Sequence, residues 1–169
     1  MMTMQVTFKG EPLEVKGTQP VTGDLAPNAA LQDSEGNAVQ LKDYLNGQVT
    51  ILSVIPNVLT RTCELQTKAF ADETAEKDYQ FITVGRNTVE EFNQWNQDND
   101  LNVVTLSDVN GEFGDAYGLN INLGGDELLT RAVFVIDEAG VIRYEEFVLE
   151  VADEPDYQSA IEVADFVKK

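Results

Sequence analysis

Histidine is absent from the 169 residues. That absence removes Ser-His and Cys-His catalytic pairs, imidazole general bases and histidine-ligated metal sites. Cysteine occurs once, as Cys63, which excludes an internal disulfide and a thiolate zinc cluster. Cations are scarce: eleven Lys and Arg against thirty Asp and Glu leave a formal net charge of −19. Such a surface repels phosphate backbones and anionic lipid, so neither nucleic acid nor a membrane is an expected partner. No stretch approaches the roughly 20 apolar residues that span a bilayer. The opening Met1-Met-Thr-Met-Gln-Val-Thr-Phe8 has no charged segment leading into an apolar one. No signal peptide is therefore expected, and the expected compartment is the cytoplasm. The acidic clusters Asp153-Glu154 and Asp98-Asn-Asp100 lack calcium-loop spacing and read as caps and loops.

What is present describes one domain over residues 1–169, with 43% hydrophobic residues and enough length for a real core. Gln5 to Phe8 and Leu13 to Lys16 alternate around Lys9-Gly-Glu-Pro12, so residues 1–17 read as an N-terminal β-hairpin. A second turn is expected between Leu31 and Leu41, followed by a short helical piece that Gly47 ends. Val49-Thr-Ile-Leu-Ser-Val-Ile55 reads as a buried strand, and a helix from Arg61 to about Lys77 carries Leu65, Ala69 and Phe70 as its apolar stripe. Tyr79 to Val84 is a further strand, and Thr88-Val-Glu-Glu91 opens the next helix with a capping box. After the short strand Val103 to Leu106 and a loop or short helix around Glu112 to Tyr117, the pattern changes. Ala132 to Ile136 and Val141 to Val148 are joined by Asp137-Glu-Ala-Gly140, too short for a helical crossover, so they pair antiparallel. A helix over Asp156 to Val167 follows. Parallel β-α-β first and antiparallel β-β-α afterwards predict an α/β, thioredoxin-like fold, a mixed central sheet flanked by helices.

Cys63 stands where the apolar strand runs out and a helix begins, in Pro56-Asn-Val-Leu-Thr60-Arg-Thr-Cys63 with Thr60 as the N-cap. A thiol in the first turn meets unpaired backbone N–H groups and the positive end of the helix dipole, both of which favour thiolate over thiol. The C-terminal edge of an open α/β sheet is also where such folds place their sites. Thr60 supplies a hydroxyl nearby, and Arg131, opening the run Ala132 to Ile136, supplies a permanent cation. The plainer reading of a lone cysteine is a small buried hydrophobe.

The pattern Pro56-x-x-x-Thr60-x-x-Cys63, with an arginine opening a late core strand, resembles the peroxiredoxins, and within them the bacterial thiol peroxidase subfamily. Phe8-Lys-Gly-Glu-Pro12, Gly23-Asp-Leu-Ala-Pro27, Leu101 to Ser107, Arg131 to Asp137 and Glu154-Pro-Asp-Tyr157 carry the resemblance along nearly the whole chain. It implies a thiol-dependent peroxidase that reduces hydrogen peroxide and organic hydroperoxides. Cys63 would become a sulfenic acid, Thr60 would hydrogen-bond the peroxide, Pro56 would shield the pocket, and Arg131 would stabilise the thiolate and the leaving oxygen. No metal or organic cofactor is implied, and a homodimer is. The subfamily's resolving cysteine aligns here with Asn96, so thioredoxin or a low-molecular-weight thiol must reduce Cys63 directly. Leu59 also stands where an acidic residue is usual. Val58, Leu59 and Leu129 are candidates for an apolar entrance favouring alkyl hydroperoxides. Two other readings stay open: a degenerate homologue acting as redox sensor or binding module, and an acidic thioredoxin-like interaction domain in which Cys63 only packs.

Overall fold

Val- and Ile-rich strands buried on both faces build the centre of the molecule. The computed structural model describes residues 4–168. Strands β1 (Met4–Phe8) and β2 (Glu11–Val15) form an antiparallel hairpin. Lys9 and Gly10 turn it, at φ of 51° and 83°, the left-handed backbone that such a two-residue turn needs. Residues 1–3 of the expected hairpin lie outside the described residues. A second hairpin, β3 (Ala30–Gln32) and β4 (Ala38–Gln40), leads into α1 (Leu41–Leu45). Next come β5 (Thr50–Val54), α2 (Arg61–Thr74), β6 (Gln80–Gly85), α3 (Val89–Asp98) and β7 (Val104–Ser107), in which β5, β6 and β7 run parallel. The chain continues through α4 (Glu112–Tyr117), β8 (Asn120–Leu123), β9 (Asp126–Leu129), β10 (Ala132–Ile136), β11 (Ile142–Phe147) and α5 (Tyr157–Lys168).

The central sheet has seven strands in the order β11-β10-β5-β6-β7-β3-β4, and β10 pairs antiparallel with both of its neighbours. The expected mixed, thioredoxin-like sheet is therefore present. Alternation along the strands divides the core. Leu52, Val54, Ala132, Phe134 and Ile136 join Leu41, Leu45, Phe113 and Tyr117 on one face. Ile51, Val133 and Val135 meet Phe70 of α2 and Ala160, Ile161 and Ala164 of α5 on the other.

Two features differ from the sequence reading. The hairpin β8-β9 was not expected; it is short, and Gly124 and Gly125 turn it at φ of 63° and 93°. The buried stripe of α2 is Cys63, Gln66, Thr67 and Phe70, whereas Leu65 and Ala69 are only half-buried. The helix is rotated because its two buried polar side chains find internal acceptors or donors: Thr67 donates to the Cys63 carbonyl at 2.8 Å, and Gln66 is bonded to Ser53 at 2.7 Å.

Phe134 is fully buried and meets Tyr117 and Phe147 edge to face, with centroids 5.4 and 5.8 Å away. Phe134→Ala should destabilise the fold by about 3–5 kcal/mol. Urea unfolding should record this as a lower midpoint with an unchanged slope.

Candidate active site

Pro56 ends the backbone ladder of β5, and the chain turns at Asn57 before α2 starts. Asn57 organises this turn. Its side-chain oxygen accepts the Leu59 N–H at 3.0 Å, and its carbonyl accepts both the Thr60 N–H at 3.0 Å and the Thr60 hydroxyl at 2.7 Å. Its own N–H donates to the Cys63 sulfur at 3.4 Å. Thr60 occupies the N-cap of α2 as expected, but its side chain accepts no helix N–H. The hydroxyl proton goes back to Asn57 instead, and the residue stays exposed.

Cys63 is fully buried, packed with Ile55 and Val58 and with Phe92 and Trp95 of α3. Pro56 is buried, and with Asn57, Arg86 and Asn87 it borders a cavity of about 360 Å³. Cys63, Thr60 and Arg131 do not line that cavity. The proposed apolar entrance is not formed by the three residues named for it. Val58 packs beside Cys63, Leu129 belongs to the main core, both are fully buried, and only Leu59 is exposed.

Arg131 enters from the start of β10 and is 2% exposed. Its Nε donates to the Val151 carbonyl at 2.8 Å and its Nη1 to Gln66 Oε1 at 2.8 Å. Gln66 passes the contact on, donating to Ser53 Oγ of β5 at 2.7 Å. Among the described residues no hydrogen bond joins Arg131 to Cys63 or Thr60; it reaches α2 through Gln66, three residues beyond the thiol on the same buried stripe. No carboxylate pairs with Arg131 among the described residues. Its charge is nevertheless felt at the phenol of Tyr157, which burial first, and then a 2.6 Å bond to Glu154, hold well above the usual tyrosine range. A buried cation without a counter-ion leaves a field that favours an anion forming near it.

The carbonyl that orients Arg131 belongs to a surface loop that Glu150 ties down. One Glu150 oxygen accepts from Gly10 N at 2.8 Å and from the Thr7 hydroxyl at 3.0 Å, the other from Lys9 N and Ala152 N at 2.9 Å each. These donors, the Ala152 and Gly10 amides first, lower its pKa to about 2. Beside it, Ala152 accepts the Thr62 hydroxyl of α2 at 3.0 Å.

Asn57, Gln66, Asn87 and Glu150 were not singled out from the sequence. Asn directly after Pro56 is a turn signal, and Gln66 one turn beyond Cys63 could have marked a polar residue on the buried face. Asn96, which the resemblance sets at the place of a resolving cysteine, has a structural use of its own. It pairs with both backbone groups of Val103, donating at 3.1 Å and accepting at 3.0 Å.

Comparisons with known proteins converge. Residues 22–145 match the AhpC/TSA family. The thiol peroxidase of Staphylococcus saprophyticus is 39% identical over 160 residues, covering 94% of this chain and 96% of that protein. The thiol peroxidase of Listeria monocytogenes serotype 4b is 38% identical over 163 residues, covering 95% and 97%. Among solved structures, the thiol peroxidase from Chromobacterium violaceum superposes with a TM-score of 0.89 over 100% of both chains at 18% identity. A peroxiredoxin-like protein from Aquifex aeolicus superposes at 0.88, with 24% identity and 96% of each chain covered. At those identities the two structures speak to the fold.

Glu150→Gln tests the loop anchor. An amide offers one acceptor oxygen and sets its N–H groups against backbone donors. Because the folded-state pKa lies below the unfolded value of about 4.3, the carboxylate's stabilisation is complete above that pH and is lost as pH falls towards the folded value. Melting temperatures should show wild type above the variant at neutral pH. The gap should close between about pH 4 and pH 2; a gap that stays constant with pH would count against the charge as its cause.

Proposed function

The chain belongs to the AhpC/TSA family, and from that premise we propose that it is a thiol-dependent peroxidase reducing hydrogen peroxide and organic hydroperoxides through Cys63. The observation that carries the assignment to this site is the buried Arg131, with no carboxylate paired to it among the described residues, bonded to Gln66 one helical turn beyond the only thiol in the chain. Thiol peroxidase relatives at 38–39% identity over nearly all of the chain support the same chemistry.

The Cys63 thiolate attacks one peroxide oxygen. The S–O bond forms as the O–O bond breaks, the electron pair passes to the departing oxygen, and that oxygen takes from solvent the proton released when the thiol ionised and leaves as water or alcohol. The Asn57 N–H and the start of α2 stabilise the sulfur as an anion, and Arg131 supplies positive charge for the oxygen on which charge develops. Thr60 supplies a hydroxyl to orient the peroxide, with its proton held on Asn57 until substrate arrives. Pro56 closes the loop against water. With no second thiol in the chain, an external thiol attacks the sulfenic acid, forming an S–S bond and releasing water; a second thiol then frees Cys63. Thioredoxin and low-molecular-weight thiols are the reductants this reading admits. A reducing, cytoplasmic setting and a homodimer belong to it as well, the dimer from the family resemblance. Light scattering at the mass of one chain would remove the dimer.

Cys63→Ser should abolish peroxide consumption without altering the fold, because the alcohol is not ionised at neutral pH. Residual turnover above a few per cent of wild type would sink the assignment. Arg131→Met keeps much of the volume and removes the charge, so the second-order rate of Cys63 oxidation should fall by about 100-fold. Stopped-flow mixing with peroxide reads that rate.

A further inference from the structure

Asn87 lies between β6 and the Thr88 cap of α3 and is 6% exposed. It uses both ends of its carboxamide on the segment that carries the sulfur. Oδ1 accepts the Val58 N–H at 2.8 Å, and Nδ2 donates to Asn57 Oδ1 at 2.9 Å and to Glu91 Oε1 at 3.3 Å. The reverse orientation would set the amide N–H groups against the Val58 N–H, so the network permits only one arrangement. Its backbone is fixed from the far side, where Ser107 of β7 donates to the Asn87 carbonyl. Asn57, the residue Asn87 grips, makes the N–H contact with Cys63 Sγ and accepts the Thr60 hydroxyl. One carboxamide on a neighbouring connection thus sets the position of both groups that meet the peroxide.

The same grip has a second effect. Cys63 is fully buried, so a bulky external thiol reaches it only when the segment between Pro56 and α2 moves outward. The bonds from Asn87 are among those such a movement must break, and they weight the equilibrium between the seated and the displaced segment. We propose that Asn87 is a positioning residue that latches the segment from Pro56 to Cys63 in its seated form, favouring oxidation of Cys63 and opposing access of the external reductant. The proposal rests on the peroxidase reading above.

Two variants test it. Asn87→Ala removes both bonds to the segment and the third to Glu91. Asn87→Asp keeps the shape and an acceptor for Val58 but faces Asn57 Oδ1 and Glu91 with an acceptor, so it serves where the alanine variant fails to fold. Trp95, the only tryptophan and packed in the Cys63 cluster, provides the fluorescence signal. In both variants oxidation by hydrogen peroxide should slow by at least about tenfold, the effect of a single lost hydrogen bond, while re-reduction by dithiothreitol speeds up. Alkylation of the reduced protein by N-ethylmaleimide should also speed up by about tenfold, and this arm requires no peroxidase activity. Unchanged rates in all three assays would overturn the latch, as would a parallel slowing of oxidation and re-reduction that follows lost thermal stability. Wild-type protein inert to peroxide, with alkylation still accelerated in the variants, would remove the peroxidase reading and leave the latch as a control of thiol access.

Discussion

A buried guanidinium with no carboxylate beside it is the constraint around which the site is arranged. Arg131 is held by a backbone carbonyl and by the amide of Gln66, both neutral acceptors, so its charge is satisfied in geometry but not neutralised. In a chain with thirty acidic residues, that none among the described residues forms an ion pair with this cation is informative. An ion pair there would lower the desolvation penalty and, in the same step, cancel the field that a nearby anion could use. Neutral donors and acceptors keep the cation oriented at the expense of stability, and electrostatic preorganisation needs that arrangement.

The segment that bears Cys63 is secured from two distant stretches of chain. On one side the Glu150 loop provides the carbonyls for Arg131 and Thr62 and is itself fastened to the N-terminal hairpin. On the other, the connection into α3 reaches Asn57 and Val58. Neither anchor is hydrophobic. The apolar cluster of Ile55, Val58, Phe92 and Trp95 packs Cys63 without specifying a direction, and direction comes from the hydrogen bonds.

Much of this was legible in the sequence because it is local. The run from Val49 to Ile55, the capping box at Thr88 and Glu91, and the short Asp137 to Gly140 connection each have a pattern set by neighbouring residues, and each occurs as read. The placement of Cys63 in the first turn of α2 has the same local origin. The hairpin around Gly124-Gly125 carried a turn signal, but its strands are only four residues each and their alternation is weak. Gln66, Asn87 and Glu150 escaped for another reason. Their partners lie 65, 29 and 140 residues away, and a polar side chain gives no sign in sequence of what it will bond at that distance. The apolar stripe of α2 was misplaced because the buried face carries Gln66 and Thr67, which a count of hydrophobic residues assigns to water.

The strand order bears on synthesis. β10 inserts between β5 and β11, so until residue 136 has left the ribosome β5 lacks its antiparallel neighbour and presents an open edge on a strand whose five residues are all buried in the finished fold. Such an edge is a template for pairing with another chain. The cation that bonds Gln66 arrives with the same strand. A growing chain therefore carries Cys63 for some seventy residues of elongation before Arg131 joins it, from position 63 to position 131. Closing the sheet and bringing Arg131 to Gln66 are one event, late in translation, and a chain truncated before residue 131 would hold the proposed nucleophile without its proposed electrostatic partner.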